Sequence, residues 1–201
     1  MENKKVHPYL ELTKTSKIGK DGVTKLFRVR AKVTFKHKVL GEIKKGTLGG
    51  WLECLFKKNG DAWVSGNAWV SGNAEVYGNA RVSGNAWVSG NALVYGNAEV
   101  YGNARVSGNA WVSGNAWVSG DALVYGNAWV YGNAWVYGDA LVSGNAWVSG
   151  NALVSGNARV YGKVKLETTL CSRFNFEFDW QVKLWQDKEA EYEQEVAKRL
   201  K

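Results

Sequence analysis

Ala62-Trp63-Val64-Ser65-Gly66-Asn67 is the first of seventeen copies of one six-residue phrase, Ala-x-Val-[Ser/Tyr]-Gly-[Asn/Asp], that run without insertion to Gly162. A short fixed period indicates an architecture built by stacking. Ala and Val are invariant and stand two apart, so in a strand both point to one side and the variable residue points to the other. Gly permits a positive φ at the corner that follows. The phrase therefore predicts a flat-sided coil with Ala and Val inside and the variable residues outside.

The phrases resemble those of the hexapeptide-repeat proteins, whose left-handed β-helix has three hexapeptides in each triangular coil. In Val64-Ser65-Gly66-Asn67-Ala68-Trp69 the aliphatic and small residues stand at that family's spacing. The resemblance implies an all-β fold, a left-handed triangular β-helix of about 6 coils of 18 residues, if a degenerate eighteenth phrase at residues 164–166 is counted. From the residues alone, a two-sided coil of about 12 residues stays open.

The segments on either side of the repeats predict caps for the two ends of the coil. Residues 27–36 alternate apolar with basic or polar side chains, which predicts a half-buried strand with a cationic outer face. Residues 174–184 alternate in the same way and predict a second long strand. Residues 187–201 have apolar residues near helical spacing, acids early and bases late, which predicts a helix that packs on this chain or pairs with another. The predicted domains are a β-rich head over residues 1–60, the β-helix over 61–166, and a C-terminal strand and helix over 167–201.

The lead-in Lys44-Lys45-Gly46-Thr47-Leu48-Gly49-Gly50-Trp51 is similar to that of uncharacterised hexapeptide proteins of phages, prophages and gut bacteria. In those proteins a short β-rich head ends in Lys-Lys-Gly-x-x-Gly-Gly-aromatic before Gly-Asn-Ala repeats. Thr47 stands where an acidic residue is typical. The resemblance implies a small virus-encoded protein in the cytoplasm of a bacterial host cell, which binds and blocks or redirects a host factor, such as one that handles nucleic acid or acts in defence.

Positive charge is concentrated in the head. Residues 1–60 carry 15 Lys and Arg against 5 Asp and Glu, whereas residues 61–161 carry 3 against 5 and residues 162–201 carry 8 against 8. This excess predicts a basic patch that meets nucleic-acid phosphates or an acidic protein. The alternative is a solvated strand face that keeps a Trp-rich protein soluble. Neither a signal-peptide pattern nor a membrane-length apolar run is present, so no membrane association is expected. The candidate patch residues are Arg28, Arg30, Lys32, Lys36, Lys38, Lys44 and Lys45.

Catalysis is not expected from the repeats. Many left-handed β-helices are acyltransferases, which use a His base near the coil wall and a loop that interrupts the repeat. Here no His follows His37, and no loop interrupts the phrases. A zinc site of the three-His type is excluded because His7 and His37 are the only histidines, and both are expected at the surface. We therefore expect a non-enzymatic protein without cofactor or metal. The alternatives are an acyltransferase-like enzyme that uses the flanking segments, or a structural component of a phage particle.

The outward positions carry the remaining information, because residues eighteen apart stack on one face. Eight of the eleven Trp occupy these positions. Such ladders are explained either by self-stacking or by an interface. As an interface, they predict a protein partner or a homo-oligomer, a dimer or a trimer. The best candidate is the row Leu93, Trp111, Trp129 and Trp147 on the third face, joined by Trp117 and Trp135 on the first face. The outward residues of the first face are Trp63, Arg81, Glu99, Trp117, Trp135 and Leu153, those of the second are Trp69, Trp87, Arg105, Leu123, Leu141 and Arg159, and those of the third are Glu75, Leu93, Trp111, Trp129, Trp147 and Lys165.

Overall fold

The structure is a computed structural model that describes residues 7–19, 21–38, 40–55, 61–167, 169–170, 175–176 and 181–182. Its main body is a solenoid of two-residue strands, which are separated by four-residue corners as far as Leu166. These strands are β6 (Trp63–Val64), β7 (Trp69–Val70), β8 (Glu75–Val76), β9 (Arg81–Val82), β10 (Trp87–Val88), β11 (Leu93–Val94), β12 (Glu99–Val100), β13 (Arg105–Val106), β14 (Trp111–Val112), β15 (Trp117–Val118), β16 (Leu123–Val124), β17 (Trp129–Val130), β18 (Trp135–Val136), β19 (Leu141–Val142), β20 (Trp147–Val148), β21 (Leu153–Val154), β22 (Arg159–Val160), β23 (Lys165–Leu166), β24 (Thr169–Leu170) and β25 (Asn175–Phe176).

The strands form three parallel sheets, one for each face. The first face is the sheet β6-β9-β12-β15-β18-β21-β24, the third is β8-β11-β14-β17-β20-β23, and the second contains β7-β10-β13-β16-β19-β22-β25. From β6 to β20, each strand pairs in register with the strand eighteen residues later, as Trp111 does with Trp129. β21 and β22 pair with β24 and β25, sixteen residues later. Three sheets of about six coils confirm the three-sided solenoid, and the two-sided coil is wrong.

The interior is made of the two invariant residues of the phrase. All seventeen Val side chains are buried, and so are the Ala side chains apart from Ala74, which is partly buried. Val164 and Leu166 continue this core, so the degenerate eighteenth phrase is a true rung. The corner glycines all have positive φ. At Gly108, with φ 67°, an added Cβ would also lie 3.0 Å from the backbone nitrogen of Gly126 in the next coil.

The head consists of β1 (Leu10–Ile18), β2 (Lys25–Ala31), β3 (Phe35–His37), β4 (Gly41–Ile43) and β5 (Leu48–Leu52). β1, β2 and β5 pair antiparallel, and β5 then pairs parallel to β7, with Trp51 opposite Trp69. The sheet of the second face therefore has ten strands and continues across the predicted boundary between residues 60 and 61. β3 and β4 form a separate hairpin.

The predicted single strand over residues 27–36 is wrong at its centre. β2 ends at Ala31, whose N–H donates to the carbonyl of Thr47 and whose carbonyl accepts from Gly46. These bonds tie the end of β2 to the turn before β5, and the chain then leaves the sheet to begin the hairpin. Val33 is exposed in this turn, although Phe35 is buried as the alternation predicts.

Gly49 and Gly50 bring the head onto the first coil. Both are buried, and an added Cβ would meet the backbone carbonyl of Val64 at 2.5 Å from Gly49 and that of Ala68 at 2.6 Å from Gly50. A larger residue would separate β5 from the coil. The Gly-Gly pair of the lead-in therefore has a packing reason.

At the other end, β24 and β25 add the last described rungs, and Phe176 is fully buried. Gln181 and Val182 are helical and buried, so the predicted continuous strand over residues 174–184 is wrong at these positions. Apolar alternation did not separate a strand from a helical turn that buries Val182. The predicted helix over residues 187–201 lies outside the described residues. In the described part of the chain, no helix has the length and apolar character needed to cross a membrane.

Candidate interaction surface

The third face carries a stack of three Trp side chains at its centre. The ring centroids of Trp111 and Trp129 are 4.6 Å apart with planes at 5°, and those of Trp129 and Trp147 are 5.0 Å apart with planes at 3°. The stack follows from register, because in-register parallel pairing places equal side chains above one another at the strand spacing. All three side chains are half-buried.

Five of the six ring faces in this stack are occupied by a neighbouring ring or by Lys165. Trp111 and Trp147 cover the two faces of Trp129, Leu93 pairs in register with Trp111, and the Lys165 ammonium lies 5.0 Å from the Trp147 ring centroid. A sugar or a nucleobase stacks on a ring face, whereas this arrangement presents ring edges. The surface is thus suited to lateral apolar packing against another surface.

A second column of side chains flanks the Trp stack. It contains Tyr77, Tyr95, Ser113, Tyr131 and Ser149 in successive coils. Tyr77 and Tyr95 stack with centroids 5.0 Å apart, and Tyr95 meets Trp111 edge to face at 6.5 Å. Buried Ser113 forms the floor of a notch between Tyr95 and Tyr131. Along this column, the Tyr rings protrude from the third face and the Ser positions leave notches beside them.

The first face carries a shorter stack. Trp117 and Trp135 have ring centroids 4.8 Å apart with planes at 6°, and Trp135 is exposed. On the same face, the guanidinium of Arg81 pairs with the carboxylate of Glu99 at 3.2 Å. The six predicted interface residues thus lie on two neighbouring faces, and the longer continuous stack is on the third.

The head covers the two outward Trp nearest to it. Phe35 meets Trp63 edge to face at 6.1 Å, and Gly19 packs so tightly on Trp69 that an added Cβ would clash with the indole ring. Both Trp are buried. Two of the eight predicted outward ladder positions are therefore parts of the junction between head and solenoid.

The seven predicted basic residues do not form one uniform surface. Arg28 lies over the Trp51 ring at 5.1 Å and donates a hydrogen bond to the carbonyl of Gly66 at 3.3 Å. Arg30 pairs with Glu11 at 2.6 Å. Lys36 stands opposite Glu42 in the β3–β4 hairpin, and Lys32 is half-buried. Lys38, Lys44 and Lys45 are exposed.

Four segments of the solenoid match a family model, the YdcK beta solenoid repeat, over residues 74–90, 98–114, 116–132 and 134–150. The same residues form the stacked parallel coils described above. The chain is a β-solenoid repeat protein. No curated protein matches it at a significant level.

The two histidines of this β-solenoid repeat protein are buried, so their predicted surface position is wrong. The Nδ1 atom of His7 accepts hydrogen bonds from the N–H groups of Tyr9 and Leu10, at 3.2 and 3.1 Å. The Nδ1 atom of His37 accepts from Leu40 at 3.2 Å. Burial lowers the pKa of both histidines; the positive charge of Lys32 lowers that of His7 further, and the positive charge of Arg81 lowers that of His37. Both therefore act as neutral acceptors.

The corners contain ladders that sequence reasoning missed. The Nδ2 atoms of eleven corner Asn donate to the side-chain oxygen eighteen residues later, as from Asn115 to Asn133 at 3.0 Å and from Asn133 to Asn151 at 3.1 Å. At one corner, Asn103 donates to Asp121 at 2.9 Å, and the next residue of that column is Asp139. In the sequence, the near-invariance of the sixth residue of the phrase was the one indication of these ladders.

Among the described residues, no three His, Cys, Asp or Glu side chains cluster to hold a metal ion.

Proposed function

We propose that this β-solenoid repeat protein is a non-enzymatic protein-interaction module that binds through its third face, at Leu93, Trp111, Trp129 and Trp147. Trp117 and Trp135 extend the surface around one corner. The carrying observation is the in-register Trp stack, whose half-buried rings present their edges on a rigid sheet. Trp is enriched at binding hot spots, and rings held in place lose little conformational entropy on binding.

The chemistry of the remaining candidates supports a binding role over catalysis. An acyltransferase-like alternative depends on His7 or His37 as a base. Both Nδ1 atoms accept backbone N–H groups inside the head, where they stabilise local turns. Two of the basic residues, Arg28 and Arg30, are likewise engaged within the chain.

The nature of the partner follows from the lead-in. Its similarity to phage and prophage proteins supports a bacterial host factor, met in the cytoplasm of the host cell, as the target. The rigid coil would present the apolar surface without the ordering cost that a loop pays.

Quantitative capture from a bacterial lysate tests the binding role. We compare the wild-type chain, a Trp129→Lys variant on the third face, a matched Leu123→Lys variant on the second face, and a Lys44→Glu/Lys45→Glu variant in the head. A specific partner should be retained by the second-face and head variants and lost with Trp129→Lys. Retention by Trp129→Lys together with loss on head charge reversal would move the binding site to the basic patch and contradict the proposal.

A further inference from the structure

We propose that the third face binds the third face of a second copy of this chain, with the two coils running antiparallel. This inference rests on the proposed function, because it concerns the same surface: the second copy occupies that surface in the free protein, and a host factor that binds there has to displace the second copy. In the inferred dimer, a two-fold axis runs along the strand direction midway between Trp111 and Trp129. The rung of Trp111 then lies opposite the rung of Trp129 of the second copy.

The charges at the ends of the third face favour this alignment. Its six rungs begin with Glu75 and end with Lys165, and the apolar residues lie between them. Antiparallel packing brings Glu75 of each copy to the rung of Lys165 of the other. Parallel packing would instead bring like charges to the same end. Self-complementarity of this kind is what a two-fold interface requires.

The flanking column fits the same alignment in shape. The antiparallel arrangement places Tyr131 opposite Ser113 of the second copy and Tyr95 opposite Ser149. Each of these two large rings therefore faces a small side chain. The notch floored by Ser113, between Tyr95 and Tyr131, is the place where Tyr131 of the second copy would enter. Interdigitation of this kind gives the packing density of stable interfaces.

The other two faces lack this symmetry. The first face begins at Trp63, which the head covers, and its two charges, Arg81 and Glu99, lie on adjacent rungs instead of at opposite ends. The second face continues into the head and carries Arg105 and Arg159, two charges of the same sign.

Disulfide cross-linking between two singly substituted proteins tests the geometry. In a background with Cys54→Ser and Cys171→Ser, one protein carries Glu75→Cys and the other Lys165→Cys. Oxidation of the mixture should give a covalent dimer, and neither protein alone should, because like positions lie about 24 Å apart over five rungs in the antiparallel dimer. Cross-linking of each protein alone, without extra product in the mixture, would indicate parallel packing and overturn the alignment.

Mass measurement by light scattering tests the association itself. The wild-type chain should have twice its 22.2 kDa chain mass. Trp129→Lys should weaken the dimer by about 30-fold or more, as for a central hot spot. The matched substitution on the second face, Leu123→Lys, should leave the dimer intact. Glu75→Lys and Lys165→Glu should each weaken the dimer, and combining them in one chain should restore it.

A wild-type monomer at every concentration would overturn the dimer. If that monomer still captured a host protein through Trp129, the proposed function would survive without this inference. If truncation of residues 183–201 turned the monomer into a dimer, the C-terminal segment would be the occupant of the third face, and the inference would be wrong for the intact chain.

Discussion

Trp63 and Trp135 occupy the same position of the same phrase on the same face, yet their exposed fractions are 4% and 45%. Trp63 lies at the end of the solenoid under Phe35 of the head, whereas Trp135 lies in the body of the coil and stacks on Trp117. The repeat decides which way each side chain points. The non-repeating head decides which of the outward rings become core. The outward Trp side chains thus fall into two groups: those buried between the head and the solenoid, and those that remain on the outer faces of the coil.

The largest expected difference is in the free energy of unfolding that is lost when Trp63, under the head, or Trp135, in the body of the coil, is replaced by Ala. Trp63→Ala should lower the free energy of unfolding by about 3–5 kcal/mol, because it leaves a cavity between the head and the first coil. Trp135→Ala should cost about 1 kcal/mol, the scale of one stacked aromatic pair. Denaturant unfolding followed by circular dichroism measures both. Equal losses at the two sites would contradict the division of the ladder.

The glycine pair that joins the two regions gives the next largest effect. Gly50→Ala should cost about 3 kcal/mol, because the added Cβ meets the carbonyl of Ala68 in the first coil. The matched control is Gly46→Ala, where φ is +90° but nothing lies within 4 Å of the added Cβ. In that variant only backbone strain lowers the free energy of unfolding, by about 1–2 kcal/mol. A smaller loss at Gly50 than at Gly46 would show that β5 is not clamped on the coil.

The solenoid was predictable from sequence, and the head was less so, for a physical reason. In the repeats, one local rule recurs at every rung, so the direction of Ala, Val and the variable residue follows from alternation alone. In the head, each contact is made once and joins distant residues. Alternation over residues 27–36 predicted the buried side chains Val29, Ala31 and Phe35. It did not predict the turn at Val33, which depends on bonds from Ala31 to the segment before β5.

The candidate site shows the same limit. Register placed Trp111, Trp129 and Trp147 in one row, and the structure confirms that row. Sequence alone did not show that the head covers Trp63 and Trp69, because no local pattern links Phe35 or Gly19 to them. The side-chain bonds of the corner Asn were visible only as near-invariance, since their partners lie eighteen residues away.

Acid should weaken the head before the solenoid, because His7 and His37 are both in the head. Their pKa values are lowered by folding, so below about pH 6.5 the unfolded chain takes up protons that the folded chain does not. Stability is therefore unaffected by these groups above that pH and falls as the pH drops below it, by at most about 1.4 kcal/mol per pH unit for each histidine.

Hydrogen exchange at pH 7.5 and 5.5 tests this order. Amides of β1 and β2 should lose protection in acid while those of β14 to β18 keep it. The control is a His7→Asn/His37→Asn variant, whose side-chain oxygens can accept the same N–H groups without titrating in this range. Acid sensitivity that persists in the control would assign the effect to other groups.

The smallest expected effect lies in the middle of the solenoid. It tests whether the side-chain hydrogen bonds of the corner Asn contribute to the stability of the coil. A carboxylate has no N–H to donate, so the Asn ladder that reaches Asp121 stops there, and Asp139 follows as a second negative charge in the same column. Asp121→Asn should restore a donor toward Asp139 and remove the like-charge neighbour, raising the free energy of unfolding by about 0.5–1 kcal/mol. The reverse change on another ladder, Asn115→Asp, should lose the bond to Asn133 and cost a similar amount. Thermal unfolding of both variants measures the effect, and opposite shifts are expected. If neither shift is seen, water at these exposed corners replaces the ladder at no cost, and the middle of the coil is held by its Ala and Val interior and its backbone hydrogen bonds.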